Sequence, residues 1–304
     1  MPESSANRRP QTPLERLRRS GIAPDRGLGQ NFLIDPNILD VIERTAALGP
    51  EDVVLEVGPG LGVLTERLLD RCGLVHCIEL DPRLQGLLED EFGARPNFRL
   101  HPGDAVRLNL GSLTPPPAKF VANLPYNVAA PLVMKSFTEL PSVKFWCLML
   151  QKEIADRLFA APGASNYGGV SVMTQLLAVK ASARQVPATV FYPRPRVRSS
   201  LLAFRRRGRR GYAAANFDRV KEIVYAGFGH RRKKLINSLA EAEPGLLPQA
   251  LTGRPGGART GGSQAGLKRK LQELLEGEGL DAGVRPQELS PPQFESLVEA
   301  MDKL

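Results

Sequence analysis

Four consecutive residues carry the groups needed to hold a flat base that bears an exocyclic amine. They are Asn123, Leu124, Pro125 and Tyr126, and they follow a run, 119–121, that predicts the end of a buried strand. The side-chain oxygen of Asn123 and the carbonyl of Leu124 can each accept one hydrogen of the amine, and the ring of Tyr126 can stack on the base. This pattern predicts a catalytic pocket for methyl transfer to a base that has left its own stack, although Asn and Pro also form ordinary β-turns before helices.

A glycine-rich turn between a strand and a helix predicts a site for a nucleoside. Gly58 and Gly60 follow the predicted strand 53–57 and let a ligand approach the backbone closely. Glu79 ends the next predicted strand, 74–78, and lies about 20 residues beyond the turn, where a carboxylate can bind ribose hydroxyls. The GxGxG spacing and its internal proline favour S-adenosylmethionine over a pyrophosphate ligand, with an NAD-dependent oxidoreductase as the rival class of enzyme.

Three more features could complete these sites, and each has a structural alternative. Gln30 and Asn31 precede a helix without helping to form it, so they either close over a ligand or belong to a simple loop. Asp104 follows the third predicted strand and either accepts a hydrogen bond from the adenine amino group of the cofactor or stabilises a turn. Phe191 stands on a stiff, proline-rich loop and either stacks on the target base or is buried.

The order of the elements predicts an α/β fold with a Rossmann-like sheet and helices on both of its faces. Short apolar runs bounded by glycine are typical of parallel strands that are covered on both sides. The predicted strands are 53–57, 74–78, 98–101, 119–121, 143–150 and 200–204. Asp35 and Pro36 predict the N-cap and the first residue of a helix, and two more helices are predicted from 129 and over 151–159. The apolar segment that begins with 167–172 is expected to complete the sheet.

Composition divides the chain into three parts. Residues 1–27 contain six arginines and predict a flexible basic arm that is helical at most briefly around 14–17 and is either a solvated tail or an RNA contact. Residues 28–207 are expected to form the S-adenosylmethionine-binding methyltransferase domain. Residues 208–304 predict a small basic α-helical domain with a Gly/Arg-rich linker near 253–266. Residues 200–304 hold 18 Lys and Arg against 12 Asp and Glu, which is six of the nine net positive charges.

The charge and the cysteines restrict the partner and the compartment. A net charge of +9 and a pI near 9.7 favour a polyanion, because neutralising phosphates releases counterions, but they do not separate RNA from DNA or from a membrane surface. Three cysteines without a CxxC pair and three scattered histidines indicate neither a disulfide framework nor a metal site. No apolar run approaches the roughly 18 residues of a membrane helix, and none follows the first arginines as in a signal peptide. We expect a cytoplasmic protein without a membrane partner.

Seven short motifs occur in order along the chain. They are QNFL at 30–33, EVGPGLG at 56–62, IELD at 78–81, GDA at 103–105, NLPYN at 123–127, LQKE at 150–153 and FYPRP at 191–195. Together they closely resemble the KsgA/RsmA family of small-subunit (16S) ribosomal RNA adenine N6,N6-dimethyltransferases. The resemblance covers roughly 28–240 and resumes near 279–301, whereas the stretch 253–270 departs from the family pattern.

The resemblance implies a cofactor and a role for individual residues. The implied residues of the S-adenosylmethionine site are Gln30, Asn31, Leu33, Gly58, Gly60, Glu79, Leu80, Asp104, Ala105 and Asn123. Those implied at the target adenine are Asn123, Leu124, Pro125, Tyr126 and Phe191. Those implied in rRNA binding are Arg231, Arg232, Lys233 and Lys234.

The resemblance also implies a substrate. Members of the family dimethylate two adjacent adenosines near the 3′ end of small-subunit rRNA and act on an intermediate of small-subunit assembly, so we expect an active, monomeric enzyme of this kind. Some relatives are mitochondrial transcription factors, which keeps one alternative open. It is a non-catalytic ribosome assembly or nucleic-acid-binding factor built on a methyltransferase fold.

Overall fold

The chain forms two compact units. The computed structural model describes residues 12–25, 27–208, 214–230, 233–242, 245–252 and 264–304. The first unit comprises Met1–Ala155 and Val179–Arg206, and the second comprises Asp156–Ala178 and Arg207–Leu304. The sequence placed one boundary between residues 207 and 208, but it did not predict that 156–178 belongs with the C-terminal unit.

A seven-stranded sheet has the strand order β4-β3-β2-β5-β6-β9-β7, and two short strands, β1 and β8, form a separate antiparallel pair. The strands are β1 (Phe32–Leu33), β2 (Val53–Val57), β3 (Leu74–Glu79), β4 (Phe98–Pro102), β5 (Lys119–Asn123), β6 (Phe145–Gln151), β7 (Ala178–Val186), β8 (Phe191–Tyr192) and β9 (Ser199–Arg206). Strands β2 to β6 are parallel to one another, and β9 is antiparallel to β6. The predicted Rossmann-like sheet is therefore confirmed.

The described helices are named in chain order. They are α1 (Pro13–Ser20), α2 (Pro36–Ala46), α3 (Val63–Arg71), α4 (Pro82–Phe92), α5 (Ala129–Glu139), α6 (Lys152–Leu158), α7 (Gly169–Leu177), α8 (Ala214–Phe228), α9 (Leu235–Ala240), α10 (Gln249–Thr252), α11 (Gln264–Gly277) and α12 (Pro291–Asp302). Helix α2 begins as predicted, because the Asp35 side chain accepts a hydrogen bond from the backbone N–H of Asn37 at 2.8 Å and Pro36 is the first helical residue.

The order of the strands creates a crevice beside β2. Strands β3 and β4 lie on one side of β2, and β5 and β6 lie on the other, so the direction of winding reverses between β2 and β5. In an open parallel sheet, ligands bind at the carboxyl ends of the strands at such a point. The turn after β2 starts at Gly58 and β5 ends at Asn123, so both predicted motifs are brought to this edge.

The predicted basic arm contains a packed helix. Helix α1 is capped by Thr12, whose side chain accepts a hydrogen bond from the backbone N–H of Glu15. Arg16 and Leu17 on this helix are buried. The short helix predicted around 14–17 is therefore present but extends over 13–20, and it is packed rather than flexible. Residues 1–11 and Arg26 lie outside the described residues.

Two other stretches differ from their predictions. The apolar segment that begins with 167–172 is not part of the sheet but leads into the buried helix α7 of the second unit. The edge of the sheet is instead completed by β7, whose residues 179–185 are all exposed. The predicted linker near 253–266 is described only over 264–266, which begins α11.

Candidate active site

One cavity of the first unit, at the carboxyl ends of β2, β3 and β5, collects most of the predicted site residues. The predicted residues that line it are Gln30, Asn31, Leu33, Gly58, Gly60, Glu79, Leu80, Asp104, Ala105, Asn123, Leu124, Pro125 and Tyr126. Phe191 is not among the lining residues. The implied cofactor residues and, apart from Phe191, the implied base-pocket residues therefore share a single cavity.

The glycine turn brings the backbone to the wall of this cavity. Gly58 and Gly60 have φ angles of 72° and 60°, in the left-handed region that favours glycine. A Cβ atom at Gly58 would lie 3.1 Å from the ring of Pro125, and one at Gly60 would lie 2.9 Å from Cδ1 of Phe32. The turn thus packs closely against Pro125 and Phe32, and only glycine leaves enough space for this packing.

Glu79 ends β3 with its carboxylate held by backbone N–H groups. Oε1 accepts hydrogen bonds from the N–H groups of Leu80 at 2.8 Å and Asp81 at 3.0 Å, and Oε2 accepts one from Gly60 at 3.2 Å. The side chain is only 6% exposed, and this burial raises the pKa of the carboxyl despite the three donors. Leu80 beside it is 49% exposed, which places a large apolar side chain at the open side of the cavity.

Glu56 is a buried acid of this cavity that the sequence analysis did not assign to the site. It is 1% exposed, and it accepts hydrogen bonds from Thr65 Oγ1 at 2.7 Å and from Cys77 Sγ at 3.5 Å. Burial raises the pKa of this carboxyl to about 8. The motif at 56–62 contained this residue, but its strand position gave no indication that the side chain meets the cavity.

Asn123 is oriented by a residue far away in the sequence. Its Nδ2 donates a hydrogen bond of 3.0 Å to the backbone carbonyl of Asn31, 92 residues earlier. Because a carbonyl can only accept, this bond turns Oδ1 away from Asn31. Within the described part of the chain, neither Oδ1 of Asn123 nor the carbonyl of Leu124 accepts a hydrogen bond. Two acceptors are thus available on the wall of the cavity.

The two predicted aromatic residues of the base pocket have different positions. The half-buried Tyr126 lines the cavity, and its hydroxyl forms a 2.6 Å hydrogen bond with Ser199 Oγ at the start of β9. Burial raises the pKa of this phenol, so it stays neutral. Phe191 is only 1% exposed and lies opposite Leu33 in the β1–β8 pair, whereas its neighbour Tyr192 is 45% exposed. The structure brings Tyr126 to the cavity and places Phe191 in the core.

Gln30 and Asp104 are engaged in local hydrogen bonds. Gln30 Nε2 donates to Asp81 Oδ2 at 2.9 Å, and Arg83, also bound to this carboxylate, lowers the pKa of Asp81 to about 2. Asp104 Oδ1 accepts a hydrogen bond of 2.9 Å from the backbone N–H of Val106. Gln30 therefore anchors its loop to the end of β3, and Asp104 stabilises the turn after β4 while both residues line the cavity.

The residues implied in rRNA binding lie in the second unit. Arg231 and Arg232 are outside the described residues. Lys233 and Lys234 are exposed between α8 and α9, and Lys233 Nζ forms an ion pair of 2.6 Å with Glu241. Part of the charge of this predicted cluster is therefore balanced within the protein.

Three features are typical of a nucleoside-binding sheet: the reversal of the strand order, the glycine turn and the buried carboxylate at the end of β3. The two free acceptors of 123–124 add a place where an amine can bind. Fold and site together define a Rossmann-like methyltransferase. The family model described as ribosomal RNA adenine dimethylase matches residues 25–255. The chain belongs to this family of methyltransferases, which the sequence motifs predicted, and the oxidoreductase alternative is set aside.

Individual relatives agree with this assignment over nearly their full lengths. The chain is 40% identical over 274 residues to ribosomal RNA small subunit methyltransferase A of Rubrobacter xylanophilus, covering 90% of this chain and 94% of the relative. It is also 40% identical over 281 residues to the protein of that name from Kineococcus radiotolerans, covering 91% and 85%.

Two solved structures share the fold and part of the sequence. A dimethyladenosine transferase from Plasmodium falciparum is similar with a TM-score of 0.72 and 26% identity, covering 90% of this chain and 98% of that one. The 23S rRNA methyltransferase ErmE is similar with a TM-score of 0.62 and 27% identity, covering 90% and 100%. In the described residues, no helix is both long and apolar enough to cross a membrane.

Proposed function

We propose that this protein dimethylates N6 of two adjacent adenosines near the 3′ end of small-subunit rRNA, using S-adenosylmethionine, within an assembly intermediate of the small subunit. The observation that carries the proposal is the orientation of Asn123 in the cavity wall: its Oδ1, like the carbonyl of the next residue, Leu124, accepts no hydrogen bond in the described chain. The curated relatives at 40% identity are named as methyltransferases of small-subunit rRNA.

The cavity fits S-adenosylmethionine by the chemistry of its walls. The Glu79 carboxylate supplies acceptors for ribose hydroxyls, and Gly58 and Gly60 provide backbone that a ligand can approach closely. The exposed side chain of Leu80 offers an apolar surface for a base. When bound, S-adenosylmethionine supplies an electrophilic methyl group, and the residues named in the sequence analysis would hold it.

Asn123 and Leu124 prepare the amine of the target adenine. Each contributes one oxygen that can accept one N6 hydrogen, which withdraws the nitrogen lone pair from the ring and aims it. A neutral amide is sufficient, because the attacking amine becomes acidic only after it has gained the methyl group. The ring of Tyr126, fixed by its hydroxyl bond to Ser199, can stack on the base that has left the RNA helix.

The partner and the location follow from the same proposal. An rRNA substrate agrees with the net charge of +9, and we expect the enzyme to act as a monomer in the cytoplasm on the assembling small subunit. Arg231 to Lys234 are proposed to contact rRNA, and Phe191 is proposed to support the base pocket from the core.

The test is transfer of labelled methyl from S-adenosylmethionine to ribosomal subunits that lack the modification. We expect incorporation into small subunits, with N6,N6-dimethyladenosine as the product after nucleoside analysis, and none into large subunits. Large subunits are the informative control, because ErmE is named as a 23S rRNA methyltransferase. Binding of small subunits without any incorporation would instead support the alternative of a non-catalytic assembly factor.

A further inference from the structure

All charged residues in segment 179–206 of the first unit are basic. The segment contains seven Lys and Arg residues and no Asp or Glu. It forms the edge strand β7, the pair strand β8, the loop 193–198 and the sheet strand β9. A stretch of this length without a counter-charge is a candidate surface for a polyanion.

Five of the seven cations are exposed and unpaired. They are Lys180, Arg184, Arg194, Arg196 and Arg198, named here the basic face. Among the described residues, none of these five side chains forms a hydrogen bond or an ion pair. Other arginines of the same unit, such as Arg67 and Arg95, are paired with carboxylates. The basic face therefore carries charge that the protein itself does not balance.

The loop with the three arginines is attached to the active site at both ends. At its start, Tyr192 pairs with Phe32, whose ring contacts the glycine turn. At its end, Ser199 forms the hydrogen bond to the Tyr126 hydroxyl. The next residue, Ser200, donates through Oγ to the carbonyl of Arg184 at 3.2 Å, which ties the edge strand to the same place.

The local sequence presents these charges rigidly. Pro193 and Pro195 alternate with arginines, and the ring of proline fixes the backbone, so little backbone entropy is lost when Arg194 and Arg196 bind a ligand. In β7, Lys180 and Arg184 lie on one face because the side chains of a strand alternate. The half-exposed ring of Tyr192 adds a surface on which an unpaired base can stack.

We propose that the basic face binds the phosphates of the single-stranded RNA that flanks the target adenosines, with Tyr192 stacking on a neighbouring base. This inference rests on the proposed function, because a target base that leaves its helix must be delivered by an unpaired strand. It assigns RNA binding to the catalytic unit itself, in addition to the cluster of 231–234. The competing role is protection of an exposed sheet edge, for which lysine is commonly used.

The experiment compares two sets of variants in the full chain. One is Arg194→Gln, Arg196→Gln and Arg198→Gln together, and the other is Lys180→Gln and Arg184→Gln together. The matched control is Arg18→Gln with Arg44→Gln, two exposed arginines of the same unit whose side chains form no hydrogen bond or ion pair among the described residues. Binding of a labelled single-stranded RNA with two adjacent adenosines is measured by fluorescence anisotropy between about 50 mM and 200 mM salt.

Each lost phosphate contact lowers the salt slope of log K by about 0.7, which is about fivefold in affinity at 0.1 M salt. We therefore expect the slope to fall by about 2 in the triple variant and by about 1.4 in the double variant, with the control unchanged. Binding of S-adenosylmethionine should stay as in the parent, which shows that the unit is folded.

Two outcomes would overturn the inference. One is a slope equal to that of the control, and the other is association of the double variant into larger species without a change in RNA affinity, which would assign β7 to edge protection. Methyl transfer by the unmodified protein is measured alongside. If the parent methylates small subunits while the variants bind RNA normally, the inference fails and the proposed function stands.

Discussion

The side-chain amide of Asn123 donates a hydrogen bond of 3.0 Å to the backbone carbonyl of Asn31, which joins the end of β5 to the loop before β1. This bond decides which end of the amide meets the cavity. It leaves Oδ1 free to accept a hydrogen bond, and it connects the predicted base pocket directly to the predicted cofactor loop.

Asn123→Ala should therefore remain folded and lose most methyl transfer, by about 100-fold or more, since removing one oriented hydrogen-bonding group from a catalytic site commonly has this effect. Asn123→Asp keeps two acceptor oxygens but cannot donate to Asn31, so it should also lose at least about tenfold. Transfer is measured on unmodified small subunits, with thermal unfolding as the check of folding. Near-normal turnover of the alanine variant would remove Asn123 from the mechanism.

Gly58→Ala should lower both stability and activity. The new Cβ would lie 3.1 Å from the ring of Pro125, in a backbone conformation that costs about 1–2 kcal/mol for a residue other than glycine. Gly163→Ala is the matched control, because its φ is also positive, at 83°, and no atom of the described residues, apart from its chain neighbours, lies within 4 Å of its Cβ position. We expect both variants to unfold more easily, but only Gly58→Ala to lose affinity for S-adenosylmethionine in calorimetry. Equal affinities would show that the turn tolerates a side chain.

Arg16→Ala should weaken the glycine turn from outside the cavity. The guanidinium donates to the carbonyl of Leu61 at 3.1 Å, pairs with Glu66 at 2.8 Å and lies over the ring of Phe92. Its loss leaves the buried Leu61 carbonyl without this donor, for which we expect about 1–3 kcal/mol of destabilisation in urea unfolding.

Arg18→Ala on the same helix is the control for Arg16, because Arg18 is exposed. It should change the free energy of unfolding by less than about 0.5 kcal/mol. Affinity for S-adenosylmethionine should fall only in the Arg16 variant, since Leu61 belongs to the turn. If both variants behave alike, α1 does not support the site.

Glu56 should make the free energy of unfolding decrease as the pH rises, whereas a carboxyl with a lowered pKa has the opposite effect. The folded-state pKa of Glu56, about 8, lies above its ordinary value of 4.5, so between these values the folded protein holds a proton that the unfolded chain releases. Its contribution to stability is therefore complete below about pH 4.5 and is lost as the pH rises through 8.

Glu56→Gln removes this titration, and its amide can still accept from Thr65. From pH 5 to 8, the parent should lose stability relative to the variant by up to about 1.4 kcal/mol per pH unit. Urea unfolding at several pH values measures the difference. A difference that does not change with pH would show that Glu56 is ionised in the folded protein.

Local patterns in the sequence determined the sheet and much of the site. The strand before Gly58 is an apolar run interrupted only by Glu56, and Asp35 with Pro36 marks a helix start, because both depend on patterns among residues close in sequence. The residues near the ends of β2, β3 and β5 could be assigned to one site for a similar reason: parallel strands bring their carboxyl ends to one edge of the sheet.

Other features needed the tertiary structure. Arg16 looked like one of six arginines in a basic arm, and only the packing of α1 showed that it is buried against Leu61. The apolar segment after residue 167 is buried as a helix, while the edge of the sheet is formed by the polar strand β7, whose exposed residues have no apolar periodicity to detect.

The tertiary structure was also needed to tell which of the two aromatic residues Phe191 and Tyr192 is exposed. Composition made Phe191 the stacking candidate, but strand pairing buries it opposite Leu33 and exposes Tyr192. The sequence alone thus determined which chemical groups this protein has and which edge of the sheet collects them. Only the tertiary structure decided the orientation of Asn123, because its hydrogen bond joins residues 92 positions apart, and no local pattern encodes such a distance.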